Sequence, residues 1–566
     1  MCAGDTAILT AATLEENSHY MHITYLGHAG FLVETSEAIV IMDPWLSPLG
    51  AFDASWFQMP RNHHLASLVH EKLRDSHRAT YLYVSHEHRD HLDIDFLNGL
   101  PVRRFTLLLP AFSRSALSSQ FSSYQCQQLV FFEHRQQIAT PGGYLKFYVD
   151  DSQLNRDSAV LLKSGDTAFL NLNDCKLFDT LPEIVAEDGP VKIFACQFSG
   201  ATWHPTCYEY ERGKYESISK KKSFAKFESV AKAIDLIRPR VYIPSAGPVC
   251  FLDPMLQHLN CEPVNIFPRA AKVIDYFKRR LPAGRTYVPE MMPGDILDTD
   301  LCALTELAEQ RVEECNVGEY IANYAKDYKA FFEERALTHK CVSEYVTAEA
   351  LRLELESKLA HLSLADRVSV PLYVKLGSSD DSMLRVDFHR RVVEFVSERP
   401  ESEYYELTAP AWQIDKVLAR VLTWEEFALT FRLRLKRIPD VYDPVLHAFL
   451  VMEAEDVGRY CNLILELESQ EERISVEADG RRFTVRRYCP HQGGDLSQGW
   501  VEQGRFLVCP RHRWQFDLLS SGQCTTNSMS IHAVCIDSES PNPNEPKDKP
   551  DDSAGRGEPL VTITGG

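Results

Sequence analysis

Two short segments near the C-terminal end constrain this chain more than any other feature: Cys489-Pro490-His491 and, after seventeen intervening residues, Cys509-Pro510-Arg511-His512. Each supplies one thiolate and one imidazole from a tight loop. A Cys and a His two or three positions apart in both loops allow a crossed arrangement. Two thiolates then hold one iron and two imidazoles the other, which is the ligand set of a mixed-ligand [2Fe–2S] cluster. Gly493, Gly494 and Gly499 suit loops that bring backbone N–H groups towards cluster sulfurs, and Trp514 and Phe516 are placed to shield one side. A zinc site could use the same side chains, but zinc sites more often take a Cys-x2-Cys pair followed by a pair of His.

These loops resemble those of Rieske ferredoxins and Rieske oxygenase domains over about the last 95 residues. In the Rieske proteins of cytochrome complexes an extra Cys in each loop forms a disulfide; here those places hold Gly494 and Arg511. The resemblance therefore implies the oxygenase or ferredoxin type, towards the low end of the Rieske range at roughly −150 mV. Such a cluster passes one electron at a time and performs no hydroxylation itself. An acceptor has to lie elsewhere, on this chain or on a partner.

A second signal is Ser85-His86-Glu87-His88-Arg89-Asp90-His91, between a strand at Tyr81–Val84 and a helix. It packs four metal-ligating side chains into one loop: His86 and His88 can grip one metal, with Asp90 and His91 on the other side of the same cavity. A solvated histidine loop is the bland alternative. With Gly27-His28-Ala29-Gly30 and Asp43-Pro44-Trp45-Leu46 upstream, this region resembles the metallo-β-lactamase fold over roughly residues 21–290. His28 by itself fits a core position as well as a ligand role. Asp174, at a strand end, takes that fold's bridging-Asp place. The third-His region (residues 151–158) and the last-His region (residues 244–248) contain no His, which argues against a complete dizinc hydrolase site. What remains is His86, His88 and Asp174, with Asp157 or Asp151 as additional carboxylates. Two His and one carboxylate with open positions is the ligand set of non-haem iron(II) oxygenases. A mononuclear iron is the reading taken here, with zinc, a dinuclear site or a vestigial one as alternatives. Asp90 and His91 are read as catalytic groups that orient ligands or deliver protons.

Both domains occur together in CMP-N-acetylneuraminate hydroxylase and its relatives, and the similarity extends beyond the metal loop. Asp43-Pro44-Trp45-Leu46, Gly50-Ala51-Phe52 with Trp56, Ser85–Leu92, Asp157-Ser158 through Asn173-Asp174-Cys175, and Arg238–Gly247 all resemble that family's segments. Two features depart from it: the Rieske motif is C-terminal here, and a His that the family has shortly before Asp157 is replaced by Asp or Asn. The resemblance implies a two-centre monooxygenase that uses O2 and electrons from an external reductase or small electron-transfer protein. It would hydroxylate a small polar substrate, such as an anion, an amino sugar or an amine. The rival is a zinc hydrolase of the lactonase or phosphodiesterase kind with a Rieske domain as redox regulator. A ferredoxin-like carrier with a dead N-terminal domain is a third reading, and the intact histidine loop argues against it.

The rest of the chain bounds these readings. At 566 residues it is too long for one core, and about three domains are expected. A leader at 1–20 precedes a metallo-β-lactamase-like αββα sandwich at 21–290, an α+β middle domain at 291–469 and an all-β Rieske domain at 470–566, a multidomain α/β protein overall. Strands are expected at His22–Glu34, Ala38–Met42, Phe105–Leu109, Ser158–Leu162 and Ala168–Leu172. In the middle domain, helical spacing covers Val346–Leu362 and Ala411–Ile438, with strands at Val368–Leu376 and Met383–Phe388 between them, and no ligand cluster. Asp479-Gly480 signals a hairpin. Asp537–Gly557, rich in Pro, Asp, Lys and Ser, reads as a disordered loop before a strand at Leu560–Ile563. A net charge of −20 argues against a general nucleic-acid binder. No run approaches the roughly 20 apolar residues of a membrane span, and the start has no signal-peptide pattern. The 15 scattered cysteines fit reduced thiols. We read the protein as cytoplasmic and compatible with a homo-oligomer. Lys220-Lys221-Lys222 with Lys226 reads as a solvated helix face or a phosphate contact, and His204 as a structural loop residue or a substitute ligand.

Overall fold

The computed structural model describes residues 20–75, 77–113, 116–200, 202–247, 249–339, 342–377, 382–536 and 562–563. The expectations for the N-terminal leader and the 537–557 loop fall outside them. Strands in the N-terminal half are apolar on both faces. In Ala38–Met42, Val40 and Met42 turn one way and Ile39 and Ile41 the other, and all are buried. In Arg156–Ser164, Val160 and Leu162 alternate with Ala159 and Leu161 in the same manner. Strands of this kind have to be covered on both sides. An eight-stranded and a six-stranded sheet accordingly pack face to face around Phe31, Val40, Tyr83, Phe147, Phe169 and Ile243. Helices Ala66–Asp75, Ile94–Gly99 and Ala116–Phe121 cover the first sheet, and Leu181–Asp188, Arg212–Ile237 and Ala270–Arg280 the second. The layers are those of the expected αββα sandwich.

The span His22–Glu34 is a hairpin and not a single strand. Met21–Gly27 and Gly30–Thr35 pair antiparallel, and the chain reverses through Gly27 and His28, both at positive φ. The first sheet also runs past residue 290, since Ile296–Asp298 and Ala303–Thr305 extend it beside Met21–Gly27.

In the middle region Glu344–His361 is helical as expected, whereas Ala411–Ile438 is not one helix. Ala411–Leu418 ends at Arg420 in the left-handed region. A capping box of Thr423 and Glu426 then starts Trp424–Leu429, and Arg434–Ile438 is a strand paired with Tyr404–Ala409. Apolar spacing alone does not register these two stops. The resulting five-stranded sheet shares one core with the first domain: Trp45, Phe52, Trp56, Trp203 and Phe251 pack in the same cluster as Leu407, Trp424, Phe431 and Leu446.

Lys358 of helix Glu344–His361 is fully buried there. Its Nζ lies 3.9 Å from the Trp424 ring and has no hydrogen-bond partner. Burial pulls its pKa down to about 7. Between that value and the ordinary lysine value near 10.4 the unfolded chain binds a proton that the folded chain does not, so stability rises with pH across this window. Lys358→Met is expected to raise the thermal unfolding midpoint at pH 7. The gain, roughly 1–4 kcal/mol by analogy with other buried charges, should shrink towards pH 10. A midpoint difference that stays constant from pH 7 to 10 would refute this account.

The C-terminal region is all-β, with two four-stranded sheets. Arg473–Ala478 and Arg481–Arg486 form the expected hairpin, with Asp479 and Gly480 both at positive φ as a type I′ turn requires. Thr562–Ile563 returns to pair parallel with Arg473–Ala478. Among the described residues no helix is long and apolar enough to cross a membrane.

Candidate metal centres

The histidine loop follows strand Ala79–Tyr83 and is held from behind by Asp43. One Asp43 oxygen accepts the Ser85 backbone N–H at 2.7 Å; the other accepts the Ser85 hydroxyl at 2.6 Å and faces His91 Nδ1 at 2.8 Å. With Nδ1 committed to Asp43, His91 turns Nε2 inward, 3.6 Å from Asp174 Oδ1 and 3.9 Å from Asp90 Oδ2. A carboxylate behind an imidazole fixes its tautomer and raises its basicity as a metal ligand. Opposite, His86 Nε2 and His88 Nδ1 converge at 2.9 Å, and Asp157 lies 3.3 Å from His86 Nδ1.

Two sets of side chains could hold an ion: His86, His91 and Asp174, and His28, Asp90 and His91. His91, expected as a proton-delivery group, thus belongs to both. Of the expected metal residues, His86 and Asp174 fall in the first set. His88 adjoins it through His86, and Asp157 stands against His86 outside both sets. Sequence reasoning gave His28 no firm role, yet its Nε2 is 3.0 Å from Asp90 Oδ2.

The polar accounting of this site points to a cation. His28 Nδ1, Asp90 Oδ1, His91 Nε2 and Asp174 Oδ1 are buried with no hydrogen-bond partner, whereas buried polar atoms are ordinarily satisfied. Burial, then the negative field of Asp174, raises the Asp157 carboxyl well above its usual range. Burial would depress His91, but Asp90, Asp174 and Asp43 carry it up to about 10. Two imidazoles and a carboxylate with unpartnered donor atoms turned inward fit a metal ion.

The C-terminal loops converge likewise. Cys489 and Cys509 are fully buried, free, and near enough for their thiols to hydrogen-bond. The rings of His491 and His512 are 4.9 Å apart, and Trp514 stacks on His491 at 4.1 Å. Both nitrogens of His491 and the Nδ1 of His512 are buried without partners. A Cβ on Gly494 would sit 3.0 Å from Cys509 Sγ and 3.3 Å from the Arg511 side chain, so these two residues occupy one small space beside the sulfurs. Two thiols, two unpartnered imidazoles and a glycine-cleared cradle fit the expected cluster.

The two centres face one cavity of about 370 Å³. Its wall includes His86, His88, Asp90, Asp157 and Asp174 from the first domain and His491 and His512 from the last. Asn155 spans the seam: its Nδ2 is 2.6 Å from Gln492 Oε1 and 3.0 Å from His512 Nε2. Arg511 anchors the Rieske loop through both oxygens of Asp179, at 2.8 and 2.9 Å, and Asp179 also accepts the Asp495 N–H. Phe52, Trp56, Trp203 and Tyr442 give the cavity aromatic walls, and Lys176 and Lys222 also line it, Lys222 donating to the His204 carbonyl at 2.8 Å. Lys226 instead bonds Gln197. His204 lies outside both ligand sets; its Nε2 meets the Tyr210 hydroxyl, and burial holds it at about 2.

Fold and centres together give this chain a metallo-β-lactamase-fold domain and a Rieske domain. A Rieske [2Fe-2S] domain matches residues 447–533 and a Beta-lactamase superfamily domain residues 22–158. An iron-sulfur protein of Mycobacterium tuberculosis, named for a Rieske 2Fe-2S centre, is 27% identical over 525 residues, covering 89% of this chain and 98% of its own. Cytidine monophosphate-N-acetylneuraminic acid hydroxylase of Danio rerio is 23% identical over 453 residues, covering 74% and 70%. Among solved structures, CmlA, a diiron beta-hydroxylase from Streptomyces venezuelae, superposes with a TM-score of 0.32 at 12% identity, covering 51% of this chain and 54% of that one.

Proposed function

We propose that this chain is a Rieske-type non-haem iron monooxygenase that hydroxylates a small polar substrate. The observation that carries the reading is the shared cavity, with the candidate iron ligands and both Rieske imidazoles on its wall. Cys489, Cys509, His491 and His512 would hold the cluster. His86, His91 and Asp174 would hold the iron, with His88 Nδ1, 2.9 Å from His86 Nε2, as a further donor and Asp157 beside them. When bound, the cluster supplies electrons singly from an external donor, and the iron binds and activates O2. The chain's own residues do the rest. Asn155 bonds His512 Nε2 and immediately precedes strand Arg156–Ser164, whose Asp157 reaches His86. Asp90, bonded to His28 through one oxygen and free at the other, is held ionised despite its burial by His91, His28 and His88 and can orient His28 or accept a hydrogen bond at Oδ1. Phe52, Trp56 and Trp203 exclude water, and Lys176 and Lys222 favour a substrate carrying negative charge. Hydroxylation by the similar cytidine monophosphate-N-acetylneuraminic acid hydroxylase supports the reaction class.

The test is metal and acid-labile sulfide analysis of anaerobically purified protein, with EPR of the dithionite-reduced state. Expected are a Rieske signal and one further iron per chain beyond those matched by sulfide. Substrate screens with a reductase should then yield O2-dependent hydroxylation. A Rieske signal accompanied by zinc, with hydrolysis of esters or phosphodiesters, would overturn the oxygenase reading.

A further inference from the structure

The middle domain has an unexplained closeness to the metal loop. His88 turns Nδ1 inward to His86 and its other nitrogen outward, so that Nε2 lies 3.3 Å from Glu425 Oε1. Glu425 belongs to helix Trp424–Leu429 of the middle domain. Its second oxygen accepts from Arg156 at 3.0 Å, and Arg156 also pairs with Glu87 at 2.7 Å. The Arg156 side chain is almost wholly buried and immediately precedes Asp157. Glu425 is thus clamped between the two first-domain segments that build the centre. The next residue, Glu426, accepts from Arg89 at 3.1 Å, so consecutive carboxylates grip consecutive residues of the loop. The helix itself is pinned by its capping box and by Trp424, whose Nε1 donates to Glu354.

We propose that Glu425 is a positioning residue by which the middle domain completes the metal centre. It accepts the Nε2–H of His88 and so leaves the Nδ1 lone pair free for the ion. A ligating imidazole has to be neutral, and the acceptor at its far nitrogen decides which nitrogen keeps the proton. The carboxylate also makes the inner nitrogen a better donor. The role rests on the metal-centre part of the function proposed above and not on the reaction assigned to it.

The experiment is competition between the full-length chain and a chromophoric chelator for Co2+ and Fe2+, with the cobalt absorption spectrum recorded. Glu425→Gln and Glu425→Ala are expected to weaken metal binding about 10–100-fold, the usual effect of losing such a partner, and to alter the cobalt bands. The cluster spectrum should stay unchanged, and the unfolding midpoint should fall in Glu425→Ala, which leaves buried Arg156 with Glu87 alone, and less in Glu425→Gln. Glu426→Gln cuts the neighbouring contact to Arg89 and is expected to leave affinity within about twofold. Wild-type affinity in both Glu425 variants overturns the proposal. An equal loss in Glu426→Gln also overturns it, because the contact would then only dock the domain. Normal metal binding by the wild type with no oxygenation of any substrate would refute the monooxygenase reading and leave the Glu425 assignment standing. A wild-type chain that takes up no ion would refute both.

Discussion

Replacing His86 by alanine is expected to abolish turnover and strip the N-terminal metal while the Rieske spectrum stays intact. His86 is almost completely inaccessible, belongs to the set with His91 and Asp174, and meets His88 on one side and Asp157 on the other. Its loss removes a donor and leaves Asp157 facing a gap, so the effect should exceed the ~100-fold upper range for partners one step removed from a metal. The cluster ligands come from other loops and another domain, which is why their absorption and EPR signals should not move. Metal content and turnover, measured beside the visible spectrum, check this. Undiminished activity with an emptied site would show that the reaction happens elsewhere.

Replacing Arg511 by alanine is expected to loosen the Rieske domain from the sandwich. Asp179 and Asp150 are both buried; Arg511 Nε–H donates to both oxygens of the first, and Nη1 approaches the second at 3.6 Å. Taking away one partner of a buried ion pair leaves uncompensated charge and ordinarily costs about 3–5 kcal/mol. The low end is expected here, because Asp179 keeps its bond from the Asp495 N–H. Two readouts should change together: a lower unfolding midpoint with faster proteolysis at the domain junction, and slower oxidation of the reduced cluster by O2 in the presence of iron. Arg511→Lys, which retains charge but not the paired geometry, should fall between. If neither readout moves in the alanine variant, the ion pair does not hold the domains in register.

Much of this chemistry could be read without coordinates because it is local. The Cys-x-His and Cys-x-x-His spacings place donors within single loops, and the HEHRDH run places four ligating side chains within one strand-to-helix turn. Strand alternation, as in Ala38–Met42, is equally local. Errors arose where a non-local or purely conformational event intervened. Positive φ at His28 split one apparent strand into a hairpin, and Arg420 with the Thr423 cap split one apparent helix. Spacing within the loop assigns His91 to the other side of the cavity from His86 and His88, whereas its ring lies 4.2 Å from that of His86. Only Asp43, 48 residues upstream, turns its free nitrogen to Asp174.

The sequence by itself determined which donors exist, that the Rieske loops take one Cys and one His each, and that the sandwich strands have to be buried on both faces. Only the tertiary structure decided that the two centres share a cavity, that Asn155 and Arg511 join the domains carrying them, and that Glu425 of the middle domain backs His88. Donor identity and strand period are properties of adjacent residues. Which donors meet depends on contacts between residues hundreds of positions apart, and no spacing along the chain encodes them.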